Sequence, residues 1–293
     1  MNLDKYRLEC QPQSTMQIDS ISQNLIRKRI FLPSDHGSWV FLLSPLLIGL
    51  FAGGEWSLAS YYLILAAMAA FLIRQPVSIA VKVYSRRRSK RDLPAAWFWI
   101  AVYALVGLIA LAGLIAQGYA FVLILALPGA PVFAWHLYLV SQRSERRQLG
   151  VELVATGVLA LAAPAAYWVG QGEPDPIGWL LWVLVWFQTA ASIVYAYLRL
   201  EQRELDSVPD FATRIALGQR ALIYTTFNLL AVSLLSLTGS LPSLLFIPYA
   251  LQWAETVQGT LRPAVNLRPT AIGIRQLIVS SLFTLLFILT WNL

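Results

Sequence analysis

The chain has 293 residues, of which 58% are hydrophobic and 13% are charged, and its mean hydropathy is +0.62. One soluble domain cannot bury so much apolar surface, so lipid must cover part of it. The sequence pI near 9.7 does not indicate nucleic-acid binding, because the basic residues fall in short gaps between apolar runs rather than on one soluble face. The single cysteine, Cys10, excludes an intramolecular disulfide and a multi-thiolate metal site.

The N-terminal segment precedes the first apolar run. Residues 1–30 are polar, and we expect them to form a mobile tail outside a single transmembrane helical domain at residues 31–293. We expect no cleaved signal peptide, because residues 1–36 lack an early apolar core with a small-residue cleavage site.

Apolar runs of about 20 residues predict nine transmembrane helices and hence an all-α membrane protein. Tight turns rich in glycine and proline join these runs on one side, and longer basic segments join them on the other. The predicted helices lie at residues 38–54, 57–75, 95–116, 119–140, 151–170, 177–198, 217–238, 240–259 and 273–292.

The distribution of lysine and arginine predicts the orientation. All 22 fall in the N-terminal segment or at alternate connections between helices, so every one lies on the same side of the membrane. The positive-inside rule places that side in the cytosol, together with the N-terminus, and it places the C-terminus on the opposite side. We expect a multi-pass protein of the bacterial inner membrane or a related internal membrane.

Polar residues at membrane depth concentrate near the cytosolic ends of several helices. Such groups are costly in lipid unless they face a partner or a cavity, so they are the best indicators of a functional site. Their one-sided distribution predicts a polar cavity open to the cytosol; the alternative is a layer of interhelical hydrogen bonds and snorkelling side chains. The substrate-binding candidates are His36, Arg74, Glu152, Tyr195, Arg199, Arg220, Asn228, Glu255 and Arg275.

The entrance to the first helix has an unusual composition, Pro33 to Trp39, with His36 next to residues suited to capping a helix. Pro45 follows within the helix, and Arg74 stands two residues before Pro76, which we expect to bend or stop the second helix. These motifs, together with Glu152 leading to Ala163-Pro164-Ala165, resemble the YwiC-like family of bacterial membrane proteins. The resemblance runs from about residue 31 to the C-terminus and implies no particular reaction.

Nine helices with a cytosolic N-terminus are also similar, more loosely, to UbiA-type intramembrane prenyltransferases. That resemblance implies two aspartate-rich motifs that hold magnesium and an isoprenyl diphosphate, whose leaving group must be neutralised. The segment from Arg74 to Asp92 departs from it, with one carboxylate and seven cations. Glu201 and Glu204 are the candidate metal ligands of a degenerate second motif; the alternative is an exposed, charge-paired helix end.

The function stays open between several classes. The leading hypothesis is a UbiA-like transferase acting on a lipidic or isoprenoid substrate, with magnesium as its cofactor only in that case and no catalytic residue assigned. The alternative is a non-catalytic membrane assembly or lipid-binding factor, followed by a small-molecule transporter. Each would have membrane lipid, and not nucleic acid, as its partner.

Overall fold

The computed structural model describes residues 28–33, 36–142 and 148–293, so the predicted mobile tail lies almost entirely outside the described residues. The described part is all-helical and contains no strand, with a helical turn at Lys28–Phe31 before the first long helix. Nine helices follow, of which α4 opens with a 3-10 segment at Ala120–Leu125: α1 His36–Ala52, α2 Leu58–Tyr84, α3 Leu93–Ala116, α4 Ala120–Ser141, α5 Leu149–Gln171, α6 Pro176–Gln202, α7 Phe211–Leu237, α8 Phe246–Leu261 and α9 Pro269–Trp291.

Each predicted transmembrane segment corresponds to one of these helices. Among the described residues, seven helical passes are long and apolar enough to cross a membrane, those of α2 to α7 and α9. The apolar helix α1 is shorter, and α8 has only 16 residues. The predicted multi-pass helical membrane protein is confirmed.

Three predicted helix ends are wrong. Helix α2 continues through Pro76 to Tyr84 instead of stopping near residue 75. Proline removes only one backbone donor, and transmembrane helices tolerate that loss where neighbouring groups compensate. Helix α7 begins at Phe211 rather than 217, because the carboxylate of Asp210 accepts a hydrogen bond from the Ala212 amide and caps the helix.

The third difference is at α8, which begins at Phe246 and not at residue 240. Turns around Pro242 precede it, in which the Leu245 amide donates to the Pro242 carbonyl at 3.1 Å. The side chain of Leu245 is fully buried beneath α8. The polar residues Glu255, Thr256 and Gln258 lie in the C-terminal half of α8, which the sequence predicts to face the cytosol.

Helix α6 is central to the bundle and contacts α1, α5, α7, α8 and α9. Helix α1 packs closely on the second half of α5 through small residues. A Cβ atom added to Gly49 would lie 2.2 Å from the carbonyl oxygen of Ala163, and Gly53 and Gly170 are in similarly close contact. Helices α6, α8 and α9 also contact one another in pairs.

Helix α5 has an irregularity at Leu161 that α6 compensates. The Leu161 amide bonds to the Val158 carbonyl at 3.1 Å, three residues back, which frees the Gly157 carbonyl. The indole of Trp182 donates to that carbonyl at 2.8 Å, and Trp186 donates to the Leu153 carbonyl at 2.9 Å. Both indole donors thus satisfy backbone acceptors in the bundle interior, where an unpaired carbonyl is costly.

Candidate functional site

Three candidate residues from different helices meet at the ends of α6, α8 and α9 that the sequence predicts to face the cytosol. Arg275 donates to both carboxylate oxygens of Glu255, at 2.7 and 2.8 Å, and Tyr195 donates its hydroxyl to the same carboxylate at 2.9 Å. Two parallel bonds of this kind are the strong form of an arginine–carboxylate pair. Arg275 also donates to the Gln258 amide oxygen at 2.6 Å.

Arg199 lies beside this group and is only 4% exposed. Its Nη1 atom donates to the carbonyls of Gly259 and Arg262, both at 2.8 Å, and to the side-chain oxygen of Gln202 at 2.9 Å. These carbonyls belong to the last turn of α8 and the residue after it, so Arg199 caps the C-terminus of that helix.

Close packing of α8 against α6 and α7 depends on glycine. A Cβ atom added to Gly259 would lie 2.1 Å from the Tyr195 hydroxyl oxygen, and one added to Gly218 would lie 2.4 Å from the Thr260 side chain. The absence of a side chain at Gly259 leaves room for the Tyr195 hydroxyl that bonds to Glu255.

A cavity of about 190 Å³ opens beside this network, and we call it the outer cleft. Arg199 contributes hydrogen bonds from Nη1 alone, and no described residue accepts from its Nε or Nη2. Those donors are available to a ligand. The outer cleft is lined by Tyr195, Arg199, Glu255, Leu267, Ile272 and Arg275, together with Ala271 and Gln276.

A second, much smaller cavity of about 20 Å³ adjoins the outer cleft, and we call it the inner cavity. The two share Tyr195, Glu255 and Gln276 as walls. Ser192, Gln252, Thr256, Val279 and Ser280 complete the lining of the inner cavity. The site therefore has two adjoining compartments, a larger one lined by two arginines and a smaller one lined by no cation.

The other candidate residues lie apart from the outer cleft. Asn228 on α7 is buried and donates to the Phe187 carbonyl at 2.9 Å. Glu152 on α5 accepts from the Tyr197 hydroxyl at 2.9 Å. The guanidinium of Arg74 lies 5.1 Å from the centre of the Phe71 ring, inside α2 rather than at its end. The side chain of His36 lies outside the described residues.

Arg220 and the two candidate metal ligands are exposed. Arg220 is on the outward face of α7, and Glu201 and Glu204 lie at and just beyond the last turn of α6. Across the described ranges, no three histidine, cysteine, aspartate or glutamate side chains come together as a metal site would require. The magnesium assignment remains a prediction.

Asp210, from the same acidic segment, has a structural role. Its carboxylate accepts hydrogen bonds from the Thr213 hydroxyl and the Ala212 amide. The bond from Thr213 is the main reason that the pKa of Asp210 lies below its usual value. The capping carboxylate thus favours its charged form at the N-terminus of α7, where a negative charge is stabilised.

Three glutamines belong to the site but were not among the candidate residues. Gln202 is fully buried, accepts from Arg199 and donates to the Gly259 carbonyl at 3.2 Å. Its position three residues after Arg199 continues the α6 polar face, and that spacing could have identified it. Gln252 and Gln276 line the inner cavity. Gln252 lies three residues before Glu255 in the same polar run of α8, and Gln276 directly follows Arg275, so each stands next to a candidate residue.

Comparison with known proteins supports the resemblance. Residues 32–167 match the family model of the YwiC-like proteins. A curated relative, the uncharacterized protein YwiC of Bacillus subtilis (strain 168), is 24% identical over 159 residues, which are 53% of this chain and 61% of the relative. The chain thus spans about three fifths of the relative's length. No solved structure gives a significant match.

The matched region contains every motif on which the resemblance was based, from the entrance segment to Ala163-Pro164-Ala165. It ends within α5, well before the predicted extent to the C-terminus. The outer cleft, built by α6, α8 and α9, lies beyond it. The chain is a multi-pass helical membrane protein whose residues 32–167 are similar to the YwiC-like family.

Proposed function

We propose that this protein binds the anionic headgroup of a lipidic ligand in the outer cleft, at the cytosolic face of the membrane. The observation that supports the proposal is the hydrogen bonding of the Arg199 guanidinium. One nitrogen of its buried guanidinium holds the end of α8, which fixes the group in place, while the remaining donors are available to the cleft. A guanidinium held in this way is suited to two-point recognition of a phosphate or carboxylate.

The rest of the outer cleft supports an amphipathic ligand. Arg275 is paired with Glu255 through Nε and Nη2, but its Nη1 has no partner among the described residues. Its side chain is 43% exposed, so an incoming anion can reach that nitrogen. Leu267, Ala271 and Ile272 supply an apolar wall beside the two arginines. Binding sites for small molecules commonly combine an apolar lining with a few fixed polar groups.

The UbiA-like transferase hypothesis adds chemistry to the same site. It requires Glu201 and Glu204 to hold magnesium against an isoprenyl diphosphate. The carboxylate that lines the cleft, Glu255, is occupied by Arg275 and Tyr195, and the two metal candidates are exposed beyond it. The arrangement therefore favours lipid binding without catalysis, which is the alternative function drawn from the sequence.

Native mass spectrometry of the detergent-purified protein tests this proposal. The test variant is Glu255→Gln with Arg275→Gln, which removes the cation without leaving an unpaired carboxylate near the membrane. We expect retained anionic lipid to fall about tenfold or more, because a charge-assisted hydrogen bond contributes roughly 1.5–3 kcal/mol. Arg220→Gln removes an exposed arginine from the same side of the membrane and should change nothing.

Equal lipid retention in all three proteins would contradict the proposal. Catalysis has a separate test, in which an isoprenyl diphosphate is incubated with the protein and Mg²⁺. Turnover that is lost in a Glu201→Gln, Glu204→Gln variant would overturn the non-catalytic assignment and restore the transferase hypothesis.

A further inference from the structure

The inner cavity contains a buried acceptor that no described residue uses. Gln252 is 6% exposed, and its side-chain oxygen Oε1 has no hydrogen-bond partner. An unpaired polar atom at this depth is costly and is rare in folded proteins. The cavity that Gln252 lines is therefore suited to a ligand group that donates a hydrogen bond.

The direction of the Gln252 amide is fixed by its neighbours. Its nitrogen Nε2 lies 2.9 Å from the backbone carbonyl of Gln188 and 3.0 Å from the Ser192 hydroxyl. A carbonyl can only accept, so the amide nitrogen must face Gln188 and the oxygen must face away. Rotating the amide by 180° would place two acceptors against each other.

Several donors around the inner cavity are already engaged. The Thr256 hydroxyl donates to the backbone carbonyl of Gln252 at 3.0 Å, and the side-chain amide of Gln276 donates to the backbone carbonyl of Ser192 at 3.1 Å. The Tyr195 hydroxyl donates to Glu255. The acceptor at Gln252 is left without a donor from the described part of the chain. A ligand group that enters here must bring its own hydrogen.

Size and charge favour a hydroxyl over an ammonium group. A space of about 20 Å³ accommodates one small polar group. An ammonium would need a compensating negative charge, and the carboxylate that lines the cavity, Glu255, is already neutralised by two bonds from Arg275. A neutral hydroxyl needs no such compensation.

We propose that the ligand is a phosphate ester with a hydroxyl group, whose phosphate occupies the outer cleft and whose hydroxyl donates to Gln252 Oε1 in the inner cavity. This inference rests on the proposed function, because the outer cleft must first hold the anion. The shared walls at Tyr195, Glu255 and Gln276 place the two compartments next to each other, so one small headgroup can occupy both.

A matched pair of lipids tests the inference. Phosphatidylglycerol and phosphatidylpropanol carry the same charge and acyl chains, and only the first has headgroup hydroxyls. We expect the purified protein to bind phosphatidylglycerol about fivefold more tightly by native mass spectrometry, since one net hydrogen bond contributes about 1 kcal/mol. Glycerol 1-phosphate is added as a competitor, and displacement by it would assign the same two-part site to a soluble ester.

Two variants test whether the preference for phosphatidylglycerol arises in the inner cavity. Gln252→Met removes the acceptor and should reduce the ratio of the two affinities to about one. Ser280→Leu fills the inner cavity without changing the Gln252 amide, so it keeps the test valid if Gln252→Met fails to fold. We expect both variants to bind phosphatidylpropanol as the parent protein does.

Distinct outcomes overturn the two proposals. Equal binding of both lipids by the parent protein, with binding still dependent on Arg275, would overturn the hydroxyl inference and leave the anion site intact. A preference that survives in both variants would also overturn it. If the parent protein binds neither lipid nor glycerol 1-phosphate, both proposals fail together.

Discussion

Arg199 connects α6 to α8 by hydrogen bonds that require no ligand. Its Nη1 atom bonds to carbonyls at the C-terminus of α8 from a position on α6, and its guanidinium lies 5.9 Å from the centre of the Tyr195 ring. Gln202 reinforces the same connection through the Gly259 carbonyl and the Ala264 amide. The role of Arg199 in ligand binding cannot be tested by removing Arg199 alone, because misfolding would also abolish binding.

We expect Arg199→Ala to lower stability by about 3 kcal/mol, because it leaves buried carbonyls without donors. Arg199→Lys should lower it less, since an ammonium can still donate to part of this set. The measurement is thermal unfolding of the detergent-solubilised protein, with Arg220→Ala as the exposed control. An Arg199→Ala protein that melts with the parent would contradict the capping role.

Helical geometry explains which site residues the sequence could predict. Gln188, Ser192, Tyr195 and Arg199 repeat at spacings of four, three and four, which keep them within about 40° of one helix face. Arg220 and Asn228 are eight residues apart, so they diverge by about 80°, and only Asn228 is buried. The pairing of Arg275 with Glu255 depends on how α8 and α9 rotate against each other, which spacing within one helix does not define.

For the secondary structure, the length of the apolar runs predicted the helices correctly. Residues near the helix ends gave wrong predictions of where some helices begin or stop. Pro76 was expected to bend or stop α2, yet the helix continues for eight residues beyond it. The tight contact of α1 with α5 was not predicted, because Gly49 in an apolar run does not indicate which helix approaches it. Packing between helices supplies that information, and it is absent from a single sequence.

The α1–α5 contact gives a prediction with a matched control. Gly49→Ala would place a methyl group 2.2 Å from the Ala163 carbonyl oxygen, so the two helices must separate. We expect a loss of about 1–3 kcal/mol in stability. Gly273→Ala on α9 has open space around the new Cβ and should be neutral or stabilising by about 0.5–1 kcal/mol. Similar unfolding temperatures for the two variants would be inconsistent with close helix packing at Gly49.

For the whole molecule, the distribution of positive charge predicts orientation independently of the helix packing. The α2–α3 connection contains the basic run Arg86 to Arg91, and the turn after α3 contains Gly118. In a Cys10→Ser background, a cysteine introduced at Gly118 should react with an impermeant maleimide added to intact cells. A cysteine at Ser89 should react only after the membrane is opened, and the reverse pattern would contradict a cytosolic N-terminus.

We expect the short helices α1 and α8 to affect the surrounding bilayer. With 17 and 16 residues they extend about 26 Å and 24 Å, less than the roughly 30 Å of a typical hydrocarbon core. Lipid next to a short helix adapts by local thinning, which sorts such proteins toward thinner membranes. Thinning beside α8 would move lipid phosphates inward at the cytosolic surface, toward the depth of Glu255 and Arg275. Hydrophobic mismatch at this helix would thereby raise the local concentration of headgroups at the cleft.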